Sequence, residues 1–193
     1  MKQAPAPHIF ADMEGRGRRG VIGVEAPDPV LSLVSSLGLA LSAGTSLVVD
    51  LEGGLVTRRT LGDLMAHGPA REEVSPGHPG VAIISGRGVD ESESKTLIET
   101  LSAHWPSVVI RCQPGQWAGP IVPVRPLIPG ILAVPTTTTA VWQPMASGMS
   151  APGRGPVLPV LNRRTTVALL RGQTVARSRW LRAWSEVWSL PWA

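Results

Sequence analysis

Short apolar runs alternate with helix-type patterns along the first part of this sequence. The run at residues 21–24 is followed by residues 30–41, in which apolar side chains recur at helical spacing. Further apolar runs occupy residues 47–50, 81–84 and 107–110. Strands and helices that alternate in this way are typical of a parallel sheet covered on both faces. The sequence therefore predicts an α/β fold with a mainly parallel sheet and three layers.

Polar residues three positions apart mark the starts of two helices. Thr60 with Asp63, and Asp90 with Glu93, match the capping pattern in which each side chain bonds the backbone N–H of the other residue. The second of these helices is predicted to run to about Trp105.

The chain changes character after residue 113. Prolines interrupt residues 114–129, and the apolar runs at 131–135 and 157–161 are predicted as two further strands. A length of 193 residues suits one domain. We assign the chain to three parts: an N-terminal tail at 1–19, an α/β domain at 20–173, and an amphipathic C-terminal helix at 174–193.

The turn that follows the first strand decides whether such a fold can hold a phosphate. The anion normally lies where backbone N–H groups point from the helix N-terminus, and a phosphate loop needs glycines, a lysine and a Ser or Thr. Here the turn consists of Ala26, Pro27, Asp28 and Pro29. Asp28 is placed to cap the helix with its own carboxylate, and Pro29 removes one donor. We predict a degenerate loop that binds no phosphate.

Charge and cysteine content exclude fewer function classes than the turn at 26–29 does. The formal net charge of +4 comes almost wholly from arginine, because Lys2 and Lys95 are the only lysines. A charge of this size allows an anionic partner but identifies no site. Cys112 is the only cysteine, which excludes an internal disulfide. No signal-type or membrane-spanning apolar run is found, so the expected location is cytoplasmic.

Five local motifs occur in a characteristic order. They are LGLAL at 37–41, LVVDLEGG at 47–54, TLGDL at 60–64, the run at 107–115, and residues 158–163. In this order they resemble elements of the ParA/MinD group of P-loop ATPases, which includes the CpaE/TadZ proteins of pilus assembly. The resemblance spans about residues 20–165 and implies a P-loop NTPase-like three-layer fold.

The departures from the family pattern fall at the nucleotide site. With residues 37–41 aligned, the family's phosphate-binding lysine falls at Val30 and its neighbouring threonine at Leu31. The aspartate expected after the fourth strand falls at Arg111. These substitutions remove the phosphate grip, the magnesium ligand and the acid that positions metal-bound water.

Two polar features of the family persist. Asp50 and Glu52 form an acidic pair at the end of the second strand. Asn162 matches a position that faces the adenine base in the family, although an Asn at a strand end is also a common turn residue. We therefore regard six positions as vestiges of a lost nucleotide site: Asp28, Val30, Leu31, Asp50, Arg111 and Asn162.

Tryptophan and arginine are concentrated in the last twenty residues. Three tryptophans recur at helical spacing, with arginines among them, and we name as candidate interaction residues Arg177, Arg179, Trp180, Arg182, Trp184 and Trp188. The aromatic face allows two interpretations. It can dock on a partner or a membrane surface, as the C-terminal helix of MinD-like relatives does at membranes, or it can pack the helix onto the sheet.

The combined pattern predicts a protein that acts by binding. An α/β order without phosphate chemistry indicates a degenerate ATPase that serves as a scaffold or positioning protein, with a protein partner in a pilus or secretion assembly. Peripheral contact with the inner face of the cell membrane belongs to this prediction, and relatives that dimerise across the nucleotide face imply a homodimer. Neither cofactor nor metal is predicted, since the four histidines lack metal-ligand spacing.

Two alternatives stay open. The first is an ATPase with an atypical nucleotide site, for which Asp50 is the residue to mutate. The second is a basic nucleic-acid-binding module. It ranks last because no recognised motif accompanies its candidate contacts, which are Arg16, Arg18, Arg19, Arg163 and Arg164.

Overall fold

Six parallel strands form the centre of the structure, which is a computed structural model that describes residues 20–55, 57–69, 80–133, 136–171 and 178–192. The strands are β1 (Gly20–Glu25), β2 (Ser46–Asp50), β3 (Val81–Ser85), β4 (Ser107–Arg111), β5 (Ile121–Leu127) and β6 (Val141–Pro144). They lie in the order β3-β2-β4-β1-β5-β6.

Five helices lie within the described residues and cover both faces of the sheet. They are α1 (Pro29–Ala43), α2 (Leu61–His67), α3 (Glu91–Ser102), α4 (Arg163–Leu170) and α5 (Arg179–Val187). The arrangement confirms the predicted α/β class and is consistent with a P-loop NTPase-like three-layer fold.

Alternate residues of the central strands supply two separate cores. Val48 and Val109 point to the face covered by α1, α4 and α5, whereas Val49 and Ile110 point to the face covered by α2 and α3. This division follows from the two-residue period of a strand. Strands buried on both faces read as continuous apolar runs, which is why the sequence identifies β1, β2 and β4 so clearly. The edge strand β3 is also an apolar run, although Ile83 in it is 37% exposed.

Both predicted capping pairs are formed. Asp63 N–H donates to Thr60 Oγ1 over 3.1 Å while Thr60 N–H donates to Asp63 Oδ2 over 2.9 Å. Asp90 and Glu93 make the same reciprocal bonds, each over 2.9 Å. Backbone and side-chain hydrogen bonds to the ionised carboxylates lower the pKa of Asp63 and of Asp90 below the ordinary value of 3.8. The α3 helix ends at Ser102, three residues before the predicted end.

The second half of the sheet corrects two predicted strands. Residues 131–133 are not a strand, and 134–135 lie outside the described residues. Residues 157–161 contribute only an isolated bridge between Trp142 and Val157, because Pro156 and Pro159 have no N–H with which to extend a ladder.

The sheet contains β5 and β6 instead, and neither was predicted from the sequence. In β5, two prolines argue against a strand. Its residues 121–123 pair with β1, and residues 124–127 pair with β6. Amides of a parallel strand alternate between its two neighbours. Pro123 therefore faces the β6 side before β6 begins, and Pro126 faces the β1 side beyond the last paired residue. Neither proline interrupts a ladder bond.

The C-terminal helix α5 packs on α1 with its aromatic face. Trp184 is fully buried, and Trp180 is 4% exposed. Their rings meet edge to face, with centroids 5.7 Å apart. Trp180 Nε1 donates to the buried Gln143 Oε1 over 2.7 Å, and Trp188 Nε1 donates to the Leu39 carbonyl over 3.0 Å.

Candidate functional site

The candidate site lies where β1, β2 and β4 end, beside the first turn of α1. Ligands of open parallel sheets bind at this edge, which makes it the place to test the predicted loss of a nucleotide site. The parallel register places Asp50 opposite Arg111 on the neighbouring strand. Asp28 lies in the turn that joins β1 to α1.

Asp28 occupies the N-terminus of α1 with its own carboxylate. Its Oδ1 accepts hydrogen bonds from Val30 N–H over 3.0 Å and from Leu31 N–H over 2.8 Å. Pro29 stands at the first helical position. These free backbone donors are the groups that would otherwise bind an anion. The Asp28 side chain therefore caps α1, as the sequence predicts.

Arg111 forms the centre of the site. Its guanidinium is bound on one side by two carboxylates, with Nη1 2.9 Å from Asp50 Oδ1 and Nη2 2.5 Å from Glu52 Oε2. On the other side, Nη2 donates to the Pro29 carbonyl over 3.0 Å and Nε donates to Ser32 Oγ over 3.3 Å. One side chain thus ties the ends of β2 and β4 to the first turn of α1.

The acidic partners of Arg111 are themselves held in place. Ser32 Oγ donates to Glu52 Oε1 over 2.7 Å, and Leu55 N–H donates to Asp50 Oδ2 over 2.8 Å. Arg111 is 2% exposed, and Asp50 is completely buried. A buried charge is tolerated only when it is paired and hydrogen-bonded, and this network meets both conditions.

The charged side chains at this edge of the sheet bind one another and the start of α1. The guanidinium occupies the space between the acidic pair at the end of β2 and the first turn of α1. A phosphate that approached would also meet the carboxylates of Asp28 and Glu52. The site is built to hold the chain's own cation.

The structure does not bring all six predicted vestigial positions together. It brings five of them to one edge of the sheet, where Val30 is 52% exposed and Leu31 is buried. Asn162 instead caps α4, because its Oδ1 accepts from Thr165 N–H over 2.8 Å. This agrees with the turn interpretation of that residue.

Sequence reasoning missed Ser32 and misjudged the role of Arg111. The substitution at position 111 was recognised as a lost acid, but the arginine itself was not expected to organise the site. A signal was present, because an arginine that ends the buried run of β4 requires a partner. Asp50 and Glu52 were the available acids. Ser32 lies three residues after Pro29, where α1 begins, and nothing in the sequence around it indicated a role in the site.

The candidate interaction residues of the C-terminal segment divide into two groups. The rings of Trp180, Trp184 and Trp188 pack within the protein, and the indole N–H groups of Trp180 and Trp188 donate to Gln143 and Leu39, which supports the core-packing interpretation. Arg179 and Arg182 are exposed on the outer side of α5. Arg177 lies outside the described residues.

Exposed apolar side chains occur at the same edge of the sheet, beyond β5 and β6. Met145 N–H donates to the Leu127 carbonyl over 2.9 Å, which places Met145 beside the loop that begins at Ile128. Leu132 is 96% exposed and Ile131 is 62% exposed. We call Ile128, Ile131, Leu132 and Met145 the apolar edge cluster. Exposed apolar side chains gathered at one edge of a sheet make it a candidate interaction surface.

Cys112 lies next to Arg111 and is expected to resist alkylation in the folded protein. Burial, reinforced by the charges of Glu25 and Glu52, raises the pKa of its thiol to about 12. The reactive thiolate is therefore about one part in ten thousand at pH 8. Iodoacetamide labelling followed by intact-mass spectrometry should show almost no modification in buffer and complete modification in concentrated guanidinium chloride. Rapid labelling in buffer would contradict the burial of this thiol.

Within the described ranges, no group of three or more His, Cys, Asp or Glu side chains is arranged to hold a metal ion. No helix in this part of the chain has the length and apolar character needed to cross a membrane. Comparison with family models, with curated proteins and with solved structures finds no match to this chain.

Proposed function

We propose that this protein is a non-catalytic scaffold or positioning protein with a degenerate ParA/MinD-like nucleotide site. The observation that carries the proposal is the Arg111 guanidinium, bound between Asp50, Glu52 and the Pro29 carbonyl. It occupies the place at which a nucleotide phosphate would meet the start of α1. The protein retains the framework of such an ATPase and uses it for binding.

Nucleotide binding would require this network to open. An entering phosphate would have to displace the Asp28 carboxylate from two backbone N–H groups and separate Arg111 from its acids. Breaking a buried ion pair costs about 3–5 kcal/mol, which would lower the affinity of an otherwise ordinary nucleotide site by about two to four orders of magnitude. This cost supports a binding role over the ATPase alternative.

The partner surface is proposed to be the apolar edge cluster. The aromatic face of α5, which was the candidate from sequence, is engaged with α1 and Gln143. Leu132 and Ile131 are by contrast exposed at the sheet edge. The proposed partner is a protein component of a pilus or secretion assembly, as the resemblance to CpaE/TadZ proteins implies.

Equilibrium binding of labelled ATP with magnesium tests the catalytic half of the proposal. We expect no saturable binding at micromolar protein and no phosphate release above background. An Asp50→Asn variant whose folding is verified by circular dichroism provides the matched control, because hydrolysis that it retains does not depend on Asp50. Micromolar affinity together with turnover that depends on Asp50 would establish the ATPase alternative instead.

Site-specific photo-crosslinking in the native host tests the partner surface. A photoreactive residue at Leu132 is expected to give a discrete crosslinked protein, identified by mass spectrometry. The same residue at Ser150, which is exposed outside the cluster, serves as the control. Equal crosslinking at both positions would contradict the assignment of the surface, whatever the ATP measurement shows.

A further inference from the structure

A cleft of about 630 Å³ opens on the face of the sheet that α2 and α3 cover, between α3 and residues 116–119. The helical wall presents Glu91, Lys95 and Glu99 at its rim, with Ile98 below them. The opposite wall includes the Trp117 side chain. These helix positions are spaced three to four residues apart and therefore share one face of α3.

The cleft exists because the connection from β4 to β5 lacks a helix. The two strands lie on either side of β1, and parallel crossovers of this kind usually carry a helix across the sheet. Residues 112–120, all of them described, contain none. Trp117 covers part of β1 in its place, lying so near Gly23 that a Cβ there would come within 2.9 Å of Trp117 Cδ1. Val21 and Leu51 line the part left open.

The rim of the cleft is acidic in a chain whose net charge is positive. A second hollow of about 360 Å³ shares Leu51, Glu91 and Gln116 with the first and adds Asp90. Three carboxylates therefore surround an apolar floor, against the single ammonium of Lys95. An occupant that complements these walls would be apolar on one side and cationic at its edge.

The chain carries such a segment directly before β1. Residues 1–19 contain the apolar group Ile9, Phe10 and Met13, followed by Arg16, Arg18 and Arg19. Val21, the second residue of β1, lines the cleft, so the segment joins the described structure at one end of it. Six residues between Met13 and Gly20 reach up to about 20 Å, and a tether this short gives a local concentration on the order of millimolar.

We propose that Ile9, Phe10 and Met13 occupy this cleft and that the arginines which follow lie at its acidic rim. Glu99 belongs to the last turns of α3, where the chain returns toward the edge of the sheet at which Gly20 begins β1. This places its carboxylate on the side nearest the arginines. The inference concerns the chain's own packing and does not depend on the proposed function.

Amide hydrogen exchange of the full-length chain, followed by mass spectrometry, tests the proposal. Phe10→Asp removes the central apolar contact and is expected to speed exchange at residues 8–13 and at 116–119 by about tenfold or more. Gln3→Asp adds the same charge to the segment outside the apolar group and is the matched control. It should leave both regions unchanged.

A second variant changes the cleft instead of the segment. It separates loss of docking from a local effect of Phe10→Asp on its own neighbours. Glu99→Lys reverses a rim charge at an exposed helix position and should speed exchange at residues 8–13 about threefold at low salt. Unchanged exchange in either the Phe10→Asp or the Glu99→Lys chain would overturn the proposal. An equal effect of Gln3→Asp would overturn it as well.

Discussion

Replacing Arg111 by methionine is expected to destabilise the folded protein by about 3–5 kcal/mol. The substitution keeps much of the side-chain volume and removes only the guanidinium. Asp50, which is completely buried, and Glu52 would then face each other without a cation. The Pro29 carbonyl and Ser32 Oγ would lose a donor as well. Urea unfolding followed by circular dichroism measures the change in the free energy of unfolding.

Two further variants show whether the cost comes from the network. Arg87 donates to the Gly53 carbonyl at the surface, and Arg87→Met should cost less than about 1 kcal/mol. A triple variant with Arg111→Met, Asp50→Asn and Glu52→Gln removes all three charges together. It should recover a large part of the stability, because the loss arises mainly from uncompensated buried charge. If Arg111→Met and Arg87→Met had equal effects, Arg111 would not organise the site.

The same network shows why the site could be predicted only in part. The capping of α1 by Asp28 could be predicted because it depends on a local pattern, whereas Val30, Leu31 and Arg111 were singled out only by the resemblance to the ParA/MinD group. The pairing of Arg111 with Asp50 and Glu52 depends on β4 lying beside β2, which is a long-range fact. The position of β4 between β2 and β1 requires the sheet order, and no local pattern gives that order.

The fold was predicted well where strands are continuous apolar runs and poorly where prolines or polar residues interrupt them. β1 to β4 are continuous apolar runs, and two of the following helices begin with capping boxes. β5 contains Pro123 and Pro126. These prolines leave the ladder hydrogen bonds intact only because the strand changes partner between them. β6 has four residues, and one of them is Gln143, whose burial depends on its bond to Trp180. Short strands that depend on tertiary contacts carry too little local signal.

The packing of the C-terminal helix on α1 depends on Gly38, a residue far from that helix in sequence. The backbone of Gly38 is helical, in the middle of α1, where glycine is normally unfavourable by about 1 kcal/mol relative to alanine. A Cβ at this position would lie 2.7 Å from Trp184 Nε1 and closer still to the six-membered ring of Trp180. Glycine is therefore required for close approach of the two helices, and its helix penalty is offset by the burial of two indole rings.

Gly38→Ala is accordingly expected to destabilise the protein by about 2 kcal/mol, although the same change stabilises most helices. Overpacking costs about 3 kcal/mol against the gain of about 1 kcal/mol in helix propensity. In a Trp180→Leu background, which removes the contact with the Trp180 ring but leaves Trp184 in place, adding Gly38→Ala should cost clearly less than it does in the unchanged chain. Urea unfolding of the four chains measures this coupling. A stabilising Gly38→Ala in the otherwise unchanged chain would show that α5 does not pack on α1, and its tryptophan face would then be free for a partner.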